Sequence, residues 1–264
     1  MVWNSGNRTN VEAALSLLHR HGIEAKCVDS LASLSGKELA VVPPELEESA
    51  ALDLYTDPGV NTFCRAKGGT LLILEQQNPR TRFPGGQTLQ QENACFADLV
   101  VPEHPLFAGL DQRNFDTWNN TSRPGCLLCG ALSPFPINSV AAKGVMLGNR
   151  SIGGAIIDAE WGKGHLIISQ LDAVVQHDSD SSAARYLVNL LSYASSGSRW
   201  EKIRPMMEAG DLDCKVVKSA MRQIDLAPYA NRSFSDEEAD DGRGGWTDQG
   251  KNDFRTIPTG EVNV

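Results

Sequence analysis

The chain has 264 residues, a formal net charge of -9 and a pI near 5.1. That length holds one large domain or two ordinary ones, and a hydrophobic content of 41% suffices for a sizeable core. The acidic balance excludes nucleic acid as the main partner, because neutralising phosphates takes clustered Lys and Arg, and no apolar run approaches the roughly 20 residues that span a bilayer.

The opening "MVWNSGNRTN" has no basic segment followed by an apolar one, so no signal peptide is expected in it. "MVWN" reads as a short first strand. From Asn10 to His21 the spacing of Val11, Ala14, Leu15 and Leu18 predicts a helix, closed by Gly22. "IEAKCVDS" is a short strand. "LAVVPP", Leu39 to Pro44, is an apolar run stopped by prolines, the pattern of a strand buried on both faces. The stretch from Leu46 to Gly69 reads as helical pieces broken near Asp57-Pro58, and "TLLILEQ" follows as another buried strand. Helix and strand thus alternate over short connections, the signature of an open α/β sheet with helices on both faces.

The middle is less regular. "NPRTRFPGGQTLQQEN" is a loop, "FADLVVPEHPLFAGL" a short strand and a turn, and "NFDTWNN", "CLLCGAL" and "AAKGVMLG" are short strands or irregular pieces. "GGAIIDAEWGKGHLIISQLD" predicts two strands joined by a turn at Gly162-Lys163-Gly164. "SDSSAARYLVNLLSYA" predicts a helix capped by Ser or Asp, with Ala184, Leu187, Val188 and Leu191 on its apolar face. The composition then turns polar and acidic. The expected organisation is an α/β domain over 1–196, a linker or short helix over 197–220, and a β-rich segment over 221–264.

The six cysteines, Cys27, Cys64, Cys95, Cys126, Cys129 and Cys214, are too sparse for a disulfide framework. Most are expected to be buried small hydrophobes. Cys126 and Cys129 form a lone CxxC with a Leu-Leu interior, which suits a strand better than a zinc site. Of the five histidines, His19 and His21 close a helix, where a cation offsets the dipole. His104 precedes a proline in a turn, and His165 lies on a strand among apolar neighbours. His177, near Asp178 and Asp180, is the best metal or acid/base candidate, against the plainer reading of a solvated helix entry. Glu75 and Gln76 end a strand, where open α/β sheets bind ligands.

"HPLFAGLDQRNFDTWNN" and "EWGKGHLIISQLDAVVQHDSDSSAARYLVNLLSYA", with the α/β start, resemble the class I glutamine amidotransferase-like domain. More narrowly, they are similar to its non-catalytic form in bacterial glycoside hydrolases, such as family 2 enzymes and the trimerisation domain of some β-galactosidases. The resemblance covers Val2 to Ala194 and implies a flavodoxin-like, mostly parallel sheet. An active member needs a cysteine nucleophile on a tight turn, with a His and a carboxylate to activate it. Here "EQQNPR" follows the strand "TLLIL", without Cys or Gly. Where the family's late strand ends in Gln-Phe-His-Pro-Glu, this chain reads "QLDAV", with Asp172 at the His position and Val174 at the Glu position. The resemblance therefore implies a domain without the family's chemistry. A reassigned hydrolytic site built from Glu75, Asp172 and His177 is the alternative, and a sugar-binding module without chemistry is another.

The last stretch, "DLAPYANRSFSDEEADDGRGGWTDQGKNDFRTIPTGE", resembles the first strands of carbohydrate-binding β-sandwich modules. The roughly 40 residues after Ile224 fall short of the ~100 that a sandwich needs. The expectation is a truncated module and a longer parent polypeptide. Trp246, with Asp248 beside it, is the candidate sugar contact, against a Trp packed on its own turn. Asp236, Asp240 and Asp241, with Glu237 and Glu238, are candidates for a structural calcium, against a solvated acidic loop. No other cofactor is expected. The implied partners are the rest of the polypeptide, carbohydrate and further copies of the chain; the compartment stays open between a cytoplasmic protein and a secreted or periplasmic parent whose address lies upstream.

Overall fold

The computed structural model describes residues 1–196, apart from positions 37, 47–49, 91–93, 95, 116–117, 119–126, 129, 134–139 and 147–149. The linker over 197–220, the segment over 221–264 and the candidates Asp236, Asp240, Asp241, Trp246 and Asp248 lie outside the described residues, as do Cys126 and Cys129.

Ten strands form one mixed sheet, and the protein is broadly α/β. In chain order come β1 (Val2–Trp3), α1 (Arg8–Arg20), β2 (Cys27–Val28) and β3 (Leu39–Val42). A short α2 (Pro58–Val60) runs into a π turn (Asn61–Ala66) before β4 (Thr70–Ile73). Then come β5 (Thr88–Gln90), β6 (Phe96–Leu99), β7 (Ala131–Ser133), β8 (Val140–Met146), β9 (Arg150–Trp161), β10 (Gly164–Ser169), α3 (Ala173–Gln176) and α4 (Ser181–Ser195). The main path through the sheet is β2-β1-β3-β4-β10-β9-β7-β5. β2, β1, β3, β4 and β10 are parallel, and their direction along the sheet reverses between β1 and β3. Beyond β10 every pairing is antiparallel, with the long β9 bonded to β10, β7 and β8.

The apolar runs are where the sequence puts them. Leu71, Leu72 and Ile73 of β4 and Leu166, Ile167 and Ile168 of β10 are buried at the sheet's centre. β9 and β10 join by a two-residue turn, Gly162-Lys163, whose Gly162 has φ +68°. A positive φ at the first turn residue marks the primed turns that match strand twist.

α1 is capped by Asn7, whose side chain accepts from the Asn10 amide. At its other end Ile23 N–H donates to Leu18 O and Gly22 N–H to His19 O, both at 2.9 Å, with Gly22 at φ +72°. This is the Schellman closure. A Cβ at Gly22 would meet nothing within 4 Å. Gly22→Ala is therefore expected to cost only the left-handed backbone penalty, about 1 kcal/mol, measured by urea denaturation.

Three expectations need correction. The described residues between Glu45 and Asp57 are not helical: Leu54 N–H bonds Arg82 O, Arg82 N–H bonds Leu52 O, and Asp53 bridges Arg82. A remote strand-like partner takes the backbone groups that a helix would use internally. The buried face of α4 is turned from the predicted one. Ala183, Tyr186, Leu187, Leu190, Leu191 and Tyr193 are buried, and Val188 is 45% exposed. Two large tyrosines seven residues apart outweigh the valine. Asp180 caps this helix, accepting from Ser182 and Ala183 amides. Cys64 is buried as expected, whereas Cys27 is exposed.

Candidate functional site

In a parallel sheet the strand ends that follow the chain direction collect loops and helix starts, and ligands bind there. Here that edge carries a row of buried polar residues: Glu45 after β3, Glu75 and Gln76 after β4, Gln170 and Asp172 after β10. Gln76 N–H donates to Gln170 Oε1 at 3.0 Å, and Gln170 Nε2 donates back to Gln76 O at 3.1 Å. One side-chain amide thus pairs with a backbone peptide as a neighbouring strand would, extending the β4–β10 seam by a residue. The Gln76 amide in turn donates to Pro43 O and Leu74 O, each at 2.8 Å. Glu45 Oε2 accepts from the Gln77 and Asn78 amides at 2.7 and 2.8 Å and holds the turn after β4.

Glu75, Asp172 and His177 are the candidates for a reassigned site. Glu75 is buried at the end of β4, its backbone O accepting from Glu45 N–H and its carboxylate from Gln77 Nε2 at 3.4 Å. Asp172 is buried at the start of α3 and accepts from Gln176 Nε2 at 3.2 Å. His177 follows α3. Its Nδ1 bonds Val174 O at 2.8 Å, and its Nε2 lies 3.3 Å from Asp178 without hydrogen-bond geometry. Asp178 also pairs with Arg20, and His177 packs near His21. Burial, then the charges of His177 and Arg20, hold the His21 pKa below its ordinary value. This favours its neutral form, contrary to the dipole-offsetting role read from its place in the sequence. No residue from Leu74 to Asn78, the turn after β4, bears a thiol or hydroxyl. The buried Cys64 is no substitute: burial pushes its thiol pKa up to about 12, and a thiol rather than a thiolate is not a nucleophile. Among the described residues no group of three His, Cys, Asp or Glu is placed to hold a metal.

A second polar cluster lies wholly inside. Asp158 of β9 accepts from His104 Nε2 at 2.9 Å and from Tyr193 OH at 2.7 Å, and it also bonds His165 Nε2. His104 Nδ1 accepts from the Leu106 amide, which leaves the proton on Nε2 for Asp158. Asp158 faces Ile167 in the β9–β10 register, so His165 is its diagonal neighbour, within reach of a long side chain. All four residues are buried. Burial drives a carboxyl pKa up, but the hydrogen bonds from His104 and His165 and the charge of His165 outweigh it and hold Asp158 at about 2. With no opening to solvent this is a bolt between the 3-10 turn at Pro105–Phe107, β9, β10 and α4, not a reaction centre. Reading the histidines one at a time misses it. The available signal is Asp158 itself, a carboxylate inside the apolar run "AIIDA", which burial permits only with partners.

No family model and no curated protein matches the chain.

Proposed function

We propose that this chain is a non-catalytic accessory region of a bacterial glycoside hydrolase, acting in assembly or in presenting carbohydrate. Its α/β unit is read as flavodoxin-like, of the class I glutamine amidotransferase-like kind. The order of the parallel strands, which in chain order is 2-1-3-4-5, supports that fold. Right-handed crossovers would then put α1 and the helical segment before β4 on opposite faces, since those connections run opposite ways along the sheet.

The observation that carries the non-catalytic reading is the Gln76–Gln170 pair. The turn after β4, where the resemblance would put a nucleophile, holds instead an amide whose hydrogen bonds are spent on the strand ends. An α/β domain without chemistry serves through its surfaces, an argument by analogy with other reused folds. The test joins light scattering over a concentration series with an ammonia-release assay on glutamine. Self-association and no ammonia are expected. A monomer at every concentration would sink the assembly role, and ammonia release would sink the non-catalytic one.

A further inference from the structure

We propose that the open depression lined by Tyr55, Thr56, Asn61, Arg65, Ala66 and Gly162 binds an acidic sugar, with Arg65 on the carboxylate and Tyr55 against the ring. It measures about 710 Å³, within the size range of small-ligand sites, and it is built on an unusual backbone. One wall is the π turn Asn61–Ala66. Such turns are rare and occur often at functional sites. This one is pinned at both ends. The Asn61 side chain donates to Tyr55 O and Asp57 O at 3.2 and 3.0 Å, and Lys163 N–H donates to Arg65 O at 3.0 Å. Gly162 closes the floor because a Cβ there would lie 2.6 Å from Arg65 Cα.

Two side chains present themselves. The Arg65 guanidinium lies 5.2 Å over the Trp161 ring, with the Asn61 Oδ1 3.5 Å away. Among the described residues no carboxylate pairs with it, in contrast to Arg8, Arg20, Arg82 and Arg113. A guanidinium stacked on an indole and held by an amide is pre-oriented for a planar carboxylate. Tyr55 is 41% exposed, and Arg82, itself paired with Asp53 at 3.0 Å, stacks 5.0 Å from its ring. It is an aromatic surface held in place with part of its ring left open. One cation among the lining residues, on a chain of net charge -9, suits a ligand with a single negative charge and not a polyanion. A carboxylate carried on a ring fits both groups. The choice of a sugar over an aromatic acid rests on the carbohydrate reading above, and the anion site itself does not.

The 264-residue chain would be titrated with galacturonic acid, galactose and benzoate, observed by NMR at the indole N–H signals. Trp161 is the reporter because its Nε1 is buried beside the stacked Arg65 and, among the described residues, has no hydrogen-bond partner. Galacturonate is expected to bind at least tenfold tighter than galactose. Arg65→Gln should abolish that preference, and Tyr55→Ala, at an exposed ring, should weaken both sugars with an unchanged melting temperature. Absence of galacturonate binding, equal affinity for galactose, or an unaffected Arg65→Gln variant would each overturn the proposal. Tighter binding of benzoate would overturn the sugar assignment while leaving the proposed role in assembly untouched, since that is read from light scattering alone.

Discussion

Replacing Asp158 with alanine is expected to destabilise the α/β unit by about 3–5 kcal/mol, the cost of removing one partner from a buried ionic cluster. The substitution strands three donors at once, on His104, His165 and Tyr193, in a place water does not reach. For a unit of this size the melting temperature should fall by on the order of 10 °C, read by calorimetry. The pH dependence follows from the same carboxylate. Its folded pKa, about 2, lies below the ordinary 3.8. It therefore contributes stability that is complete above 3.8 and is lost as the pH falls from about 4 to 2. Asp158→Asn cannot titrate there. The stability gap between the native protein and this variant should close by roughly 2 kcal/mol as the pH drops from about 4 toward 2. A gap that stays constant through that window would mean that Asp158 is not held ionised by its histidines.

Gly164→Ala is expected to cost about 3 kcal/mol, at the upper end of overpacking penalties. A Cβ at Gly164 would fall on the backbone carbonyl oxygens of Cys64 and Gly69, with the Cys64 sulfur beside them. Neither carbonyl is the end of a flexible side chain. Gly69 O is already bonded by His165 N–H at 3.1 Å, and Cys64 O by Gly68 N–H at 3.2 Å. The clash is relieved only by pushing the π turn away from β10. The urea midpoint should fall with little change in slope, and the loss should far exceed that of Gly22→Ala, where the backbone conformation is strained but the space is empty. Because Arg65 sits on the same turn, Gly164→Ala should also weaken galacturonate binding. A variant as stable as the native chain would show that the π turn is not packed hard against the β10 start.

The local layer of this protein was legible in the sequence. "LAVV", "TLLI" and "GHLIIS" are apolar without alternation, and each became a buried strand of the sheet. Gly22 after α1 and Asp180 before α4 were readable as caps, because a helix terminus is satisfied by residues a few positions away, whereas α1, expected from Asn10, starts at Arg8 behind the cap Asn7. The glycine turn between β9 and β10 was marked for the same reason. The absence of a nucleophile after β4 also needed no structure: it is a matter of which residues stand in "LEQQN".

What tertiary structure alone decided is the state of the polar residues. His104 reads as a turn residue and His165 as a strand residue. Their meaning comes from Asp158 and Tyr193, which lie 54 and 35 positions from a partner in the same cluster. Gln76 and Gln170 are 94 residues apart and meet because β4 and β10 are neighbours, an adjacency no local pattern encodes. The same holds for Arg65, Trp161 and Tyr55, whose grouping depends on how the π turn lies on the β9–β10 hairpin. Apolar burial is written in periodicity, since every such residue gains by leaving water. A buried polar group survives only if a partner arrives from elsewhere in the chain, and that arrival is a property of the fold.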